Sequence, residues 1–434
     1  VKLRSQTLYI LMIYTMLCAY MVGPMLSFTA GIPRIDNPLS LLFVCGTLVI
    51  AFFENKRFPT QIGMPLICLS FMAAWSALHL LISTLSNTQF ADLMFFLVVP
   101  CFFYILYLCI SRHEDPLGFI QRLMIVFTLF IALPPLAEIA IGMPFVSTSG
   151  EELSIESGAA KGFFFNPNNM AATAVCVAPA ILIFFNYFGR TAKEKTAGWA
   201  LFALLGAAIF ISASRTAIAC YLALLALHFI YRKNGLATLI ALAGTYMLFA
   251  ITPSYIIQNF LLSLNSNPFL ERLSSRLYLF LYDFGSDNSV SYRQEIYNYF
   301  YDNLPFLYTG YGPKNFSGYF GGHLSYSLGF ENPHSFIIEL YLGFGIISLL
   351  AFIGYVAVYC TGIIFAKPLE NKIRFFALIG MAVFLVAGFI PSSILRLPFV
   401  WIPCFLIFIY IVLHTSQYNR TPIYGFTRSS WKHL

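Results

Sequence analysis

The sequence predicts an all-α polytopic membrane protein with about twelve spanning helices. Three observations predict it. The 434 residues are 59% hydrophobic and only 10% charged, against roughly 25% charged in a soluble domain. Mean hydropathy is +0.77, more apolar side chain than a water-facing fold can bury, so lipid is the natural solvent. The apolar residues also fall in runs of about 20, the length that crosses a bilayer as a helix.

Spans are expected near 8–30, 38–53, 61–84, 91–111, 117–142, 170–188, 196–213, 215–232, 236–254, 335–366, 373–390 and 398–415. The first is too long and too uniformly apolar for a cleaved signal peptide, and no A-x-A site follows it. The seventh and eighth meet at Ser214, which predicts a tight hairpin or one broken helix. The abundant Phe and Tyr suit lipid contact and interfacial belts. No repeat of 20–50 residues is visible.

Charge placement orients the chain. With the N-terminus inside, the inner segments hold Lys2 and Arg4, Lys56 and Arg57, Arg112, Arg190 with Lys193 and Lys195, Arg232 and Lys233, Lys367 with Lys372 and Arg374, then Arg420, Arg428 and Lys432. The short outer connections are nearly free of Lys and Arg. That is the positive-inside pattern, and it puts both termini in the cytoplasm. The net charge of +7 is explained by these loops, so no nucleic-acid partner is expected.

Two outer segments are long. One is 143–169, with Glu151, Glu152 and Glu156. The other is 255–334, which is polar, aromatic and Gly-rich, with Ile296, Phe300 and Leu304 at helical four-residue steps. An ordered loop of this length is usually functional. The chain then divides into N-terminal spans (1–160), central spans (161–254), an outer loop (255–334) and C-terminal spans (335–434). The nine cysteines all sit in apolar runs, so neither a disulfide framework nor a metal site is expected.

Four segments carry candidate chemistry. Gly162 to Ala171, with Asn166-Pro167-Asn168, reads first as a turn with a helix N-cap, a role compatible with lining a site. Ser214-Arg215 places an Arg at the outer membrane edge. There it either snorkels or supplies a fixed cation. Arg293 starts the amphipathic outer helix and is followed by Pro305, Gly310, Tyr311, Gly312 and Lys314. A solvated surface Arg is the simpler reading of that position alone. Pro333-His334-Ser335 leads into the tenth span, with Glu339 at membrane depth, where a carboxylate needs a reason. A neutral imidazole such as that of His334 is a natural general base.

Taken together, these segments resemble the O-antigen ligase and O-antigen polymerase superfamily of membrane glycosyltransferases. The resemblance rests on Gly162 to Ala171, Ser214-Arg215, Arg293 with Tyr297, Pro305 with Gly310 and Gly312, and Pro333-His334-Ser335 with Glu339 and Gly345. Two positions depart from the family pattern: Ser335, often Asn, and Gly343, often Glu.

The resemblance implies a GT-C-like architecture in a bacterial inner membrane, with the active face periplasmic. It implies a polyprenyl-diphosphate-linked oligosaccharide as donor and no metal or other cofactor. The acceptor is a second lipid-linked repeat unit in a polymerase or lipid A–core in a ligase. Membrane lipid and a chain-length regulator protein are further candidate partners. The implied catalytic residues are His334, Arg215 and Arg293. Asn166, Asn168, Arg272, Arg276, Lys314, Tyr311 and Glu339 are the candidate substrate-binding residues. A flippase of lipid-linked sugars and a non-catalytic assembly partner are the competing readings.

Overall fold

The structure, a computed structural model, describes residues 2–29, 35–54, 58–82, 87–143, 145, 160–164, 166–231, 235–266, 268–283, 288–313, 317–320, 333–391 and 397–418. Glu151, Glu152, Glu156, Lys314, and the loop cations Lys56, Arg57, Arg232 and Lys233 lie outside these residues. The fold is all-α, and no strand occurs among the described residues.

The helices in chain order are α1 (Lys2–Thr29), α2 (Asp36–Phe53), α3 (Thr60–Ala77, extended by the turn His79–Ile82), α4 (Asn87–Arg112) and α5 (Pro116–Ile141). Next come α6 (Pro167–Ile181, ending in a π-helical turn Leu182–Tyr187), α7 (Ala192–Ile211), α8 (Arg215–Ile230) and α9 (Gly235–Ile251). The segment expected to lie outside holds α10 (Ser254–Leu264), α11 (Pro268–Tyr282) and α12 (Asn288–Asp302). It is followed by α13 (Phe336–Ile364), α14 (Asn371–Ala387) and α15 (Ile402–Tyr418), the last entered by a 3-10 turn at Pro398–Trp401.

Every expected span coincides with a helix. Among the described residues, nine helices are long and apolar enough to cross a membrane, or ten if α9 and α10, bent by 94°, count as one span. This makes the chain a multi-pass membrane protein. Helices α8 and α14, with 16 and 17 residues, are shorter. They belong to the expected twelve but do not meet the length on their own.

Three helices form the centre. Over their most apolar 18-residue stretches, burial reaches 94% of residues within Asp92–Arg112, 89% within Pro167–Tyr187 and 83% within Pro398–Ser416, against 28% for α2, which lies at the rim. Aromatic contacts join these helices to each other and to α13: Phe103 of α4 meets Phe405 of α15 edge-on at 5.1 Å, and Phe96 of α4 meets Phe344 of α13 at 4.3 Å. Trp401 is fully buried among Phe336, Phe352, Tyr355 and Phe384. All nine cysteines are free thiols distributed through the helices.

The outer segment differs from its sequence reading in two ways. Among the described residues it contains three helices of 11 to 15 residues and a short helical turn at Ser317–Phe320, where one run of helical periodicity was visible. In addition, Leu304 does not extend the apolar face of α12. Ile296 and Phe300 are buried, but Leu304 is 57% exposed. The helix has already ended at Asp302, just before Asn303 and Pro305, and Pro restricts the preceding residue to extended conformations.

Candidate functional site

The tenth expected span starts as a capped helix. The Ser335 side chain accepts from the Ile338 N–H, and the Phe336 N–H donates to the Gly388 carbonyl at the end of α14, 3.1 Å away. One helix's orphan donor thus meets another's orphan acceptor. His334 precedes this cap at φ +49°, a left-handed conformation uncommon for a residue with a Cβ. Tyr297, on α12, holds the turn by donating its hydroxyl to the His334 carbonyl at 2.9 Å. Arg293 lies one turn earlier on α12 and donates from Nη2 to the Ile390 carbonyl at 3.3 Å. A guanidinium beyond the C-terminus of α14 also complements that helix's dipole.

These contacts bring His334, Arg293 and Tyr297 together where α12, α13 and α14 meet. Burial, reinforced by the Arg293 charge, lowers the His334 pKa to about 4. The imidazole is therefore neutral near pH 7 and able to accept a proton. Burial raises the Tyr297 phenol, which keeps it a hydroxyl donor. Glu339 is buried in the first turns of α13.

The glycines of the outer loop shape the other side of this helix. At Gly345, φ is +80° and ψ −179°, so α13 is broken there. The break frees peptide groups, and the loop before it takes them. The Tyr311 N–H donates to the Leu342 carbonyl at 2.7 Å, the Gly312 N–H to the Gly343 carbonyl at 2.9 Å, and the Ile346 N–H to the Leu307 carbonyl at 2.9 Å. Tyr341 donates its hydroxyl to the Pro305 carbonyl. On α3's terminal turn, His79 Nε2 lies 2.7 Å from the Thr309 carbonyl. Gly310 (φ +74°) sits so close that a Cβ there would stand 2.4 Å from the Gly343 carbonyl carbon. The Tyr311 ring itself is 40% exposed.

Arg215 and Arg276 form a second group at the α7–α8 turn. The Ser212 hydroxyl donates to the Ile209 carbonyl at 2.6 Å and accepts from the Ser214 N–H at 3.2 Å. Ala213 takes φ +55°, and Arg276 Nη1, on α11, donates to its carbonyl at 3.2 Å. Arg215 is the first residue of α8, whose N-cap Ser214 makes no side-chain cap hydrogen bond. Arg215 therefore adds a cation to the positive end of the α8 dipole.

Asn166 is the N-cap of α6, accepting from the Asn168 N–H at 2.7 Å, and Pro167 follows at the first helical position. Lys314 lies outside the described residues, and Arg272 is placed on α11 by its backbone alone.

Besides Asp36 and His228, three buried ionisable residues escaped the sequence reading. Glu138, fully buried at the end of α5, accepts from the N–H groups of Phe145, Lys161 and Gly162, each at 2.7 Å. It ties 160–162 to α5, with Gly162 (φ +58°) against Pro134 and Pro135. His79 and Asp92 are the others. The available signal was an ionisable residue inside an apolar run, which marks a specific environment.

No curated protein matches the chain. Residues 200–353, which run from α7 through the outer helices into α13 and include Arg215, Arg293 and His334, match the family model described as O-antigen ligase.

Proposed function

We propose that this protein is a bacterial inner-membrane glycosyltransferase that uses a polyprenyl-diphosphate-linked glycan as donor on the periplasmic face. The observation that carries the reading is the convergence of Arg293 and His334 at the mouth of α13, within the segment that matches the O-antigen ligase model. The lipid tail lies between the helices, with both termini cytoplasmic. The short helices α8 and α14 complete a twelve-span bundle.

In this reading, an acceptor sugar hydroxyl attacks the anomeric carbon of the donor. The new glycosidic C–O bond forms as the bond to the lipid diphosphate breaks, inverting the centre. His334 takes the hydroxyl proton. Negative charge grows on the departing diphosphate, and the planar guanidinium groups of Arg215 and Arg293 match phosphate geometry. They carry that charge in place of a bound cation. An anion near His334 also offsets the Arg293 charge and makes the imidazole a better base in the complex than in the free protein.

A second lipid-linked repeat unit is the acceptor favoured by the sequence reading, which makes the protein a polymerase. The matched family is described as O-antigen ligase, which favours a ligase as the second reading, with lipid A–core as the acceptor implied by the resemblance. A deletion strain separates the two: polymerase loss leaves single repeat units attached to the acceptor, ligase loss leaves none. The proposal itself is tested by His334→Ala, Arg215→Ala and Arg293→Ala, each complementing that strain. Normal glycan ladders from all three at normal protein level would overturn it.

A further inference from the structure

Arg276 does not face solvent as an ordinary surface cation. Its Nη1 reaches from α11 to the carbonyl of Ala213, the residue on which the α7–α8 turn pivots. Ala213 is 1% exposed, so its carbonyl lies in a setting where an unpaired acceptor is costly. Its backbone is left-handed at φ +55°. An Ala reaches that region at a penalty that Gly does not have. Two residues later the chain presents Arg215 as the first residue of α8. The direction of Arg215 is therefore set by a backbone conformation that the local sequence disfavours.

The surroundings make Arg276 a suitable brace. The Ser274 hydroxyl, on the same helix, donates to the Leu261 carbonyl of α10 at 2.6 Å, and α11 packs against α7. Ala160 packs with Ile211 at the end of α7. The segment carrying Ala160 is tied to Glu138 through Lys161 and Gly162. Two separate segments thus hold the turn, and Arg276 is the contact on its pivot.

We infer that Arg276 is a positioning residue: by pairing with the Ala213 carbonyl it holds the left-handed turn that aims Arg215 at the diphosphate of the donor. The inference rests on the proposed function and gives Arg276 a role distinct from direct contact with substrate.

The prediction specific to positioning is rescue by glycine. If Arg276 serves to hold Ala213 at positive φ, a residue that adopts that conformation unaided makes the brace less necessary. The test uses the purified full-length protein in detergent and undecaprenyl diphosphate as probe, with Kd read by intrinsic fluorescence. Wild type is expected to bind, and Arg215→Ala to weaken binding at least tenfold. Arg276→Ala is expected to weaken it at least fivefold, and Arg276→Lys, which keeps one donor, by less. In an Ala213→Gly background, Arg276→Ala is expected to weaken binding no more than twofold relative to Ala213→Gly alone.

An equal loss from Arg276→Ala in both backgrounds would assign the guanidinium to the ligand itself and overturn the inference. So would an Arg276→Ala variant that binds like wild type. Either result leaves the donor reading standing. Failure of wild type to bind, or an Arg215→Ala variant that binds as tightly as wild type, would remove the donor reading and this inference with it.

Discussion

Substituting Gly345 by Ala tests whether the glycines around the site act through main-chain docking. At φ +80° and ψ −179°, residue 345 occupies a region essentially restricted to glycine, where strain for other residues is about 1–3 kcal/mol. The added Cβ would also stand 2.0 Å from the Tyr308 carbonyl oxygen and 2.7 Å from the Thr309 nitrogen. Those are backbone atoms, so no side-chain rotation relieves the clash and the loop must lift. Lifting breaks the three hydrogen bonds that join Tyr311, Gly312 and Leu307 to α13, each contributing about 1 kcal/mol net. Strain and lost bonds together come to about 4–6 kcal/mol.

With an unfolding entropy of about 2 cal/mol/K per residue, a loss of that size lowers Tm by about 5 °C. The assay is thermal unfolding of the detergent-solubilised protein, followed by Trp and Tyr fluorescence. Limited proteolysis would report exposure of residues 305–312. Glycan transfer should fall with docking, because His334 stands at the start of the same broken helix. A Gly345→Ala protein with unchanged Tm, unchanged proteolysis and normal glycan ladders would refute the docking argument.

Three further outcomes follow from the same contacts. With the His334 pKa held at about 4, the neutral base persists as pH falls from 8 to 5, so kcat/KM should stay level there and drop about tenfold per unit only below pH 4; an acid limb at the ordinary histidine value near 6.5 would contradict it. Tyr297→Phe keeps the ring but removes the donor to the His334 carbonyl, and the loss of about 1 kcal/mol should appear as a roughly fivefold fall in kcat; an unchanged kcat would show that the bond does not support the turn. Glu138→Ala leaves three N–H groups without their acceptor, a cost of about 3 kcal/mol or more; faster tryptic cleavage at Lys161 and a lower Tm would register it, with Glu138→Gln intermediate, and wild-type resistance in both variants would count against it.

The spanning helices were legible because hydropathy is a local property. Each apolar run of the sequence became a helix, and the break at Ser214 appeared where Ser and Arg interrupt two such runs. Asn166 was legible as a cap because Asn-Pro-Asn encodes it locally. Helices α10 and α11 were not read, although both are amphipathic: each is too short for a spanning run, and only its helical periodicity marks it. Leu304 misled for a related reason: periodicity continues in sequence past the point where the backbone leaves the helix. The pairing of Arg276 with Ala213 spans 63 positions, and Glu138 reaches 23 and 24 positions ahead. No local pattern encodes a partner that distant. The grouping of Arg293 with His334 was legible only as order along the chain; that α12 delivers one to the other depends on packing against the end of α14.

The junction between the outer loop and α13 behaves like a socket cut into the main chain. On the loop side, the atoms that make the fit are amide nitrogens and carbonyl oxygens, which every amino acid except proline supplies alike. Phe306, Tyr308 and Tyr311 keep their rings exposed while their backbone runs through the joint. Their side chains can therefore diversify without loosening the attachment, as long as no Cβ appears at Gly310 or Gly345. If the protein transfers glycans as proposed, such a division lets the peptide backbone hold the geometry while the exposed face adapts to differently decorated sugars.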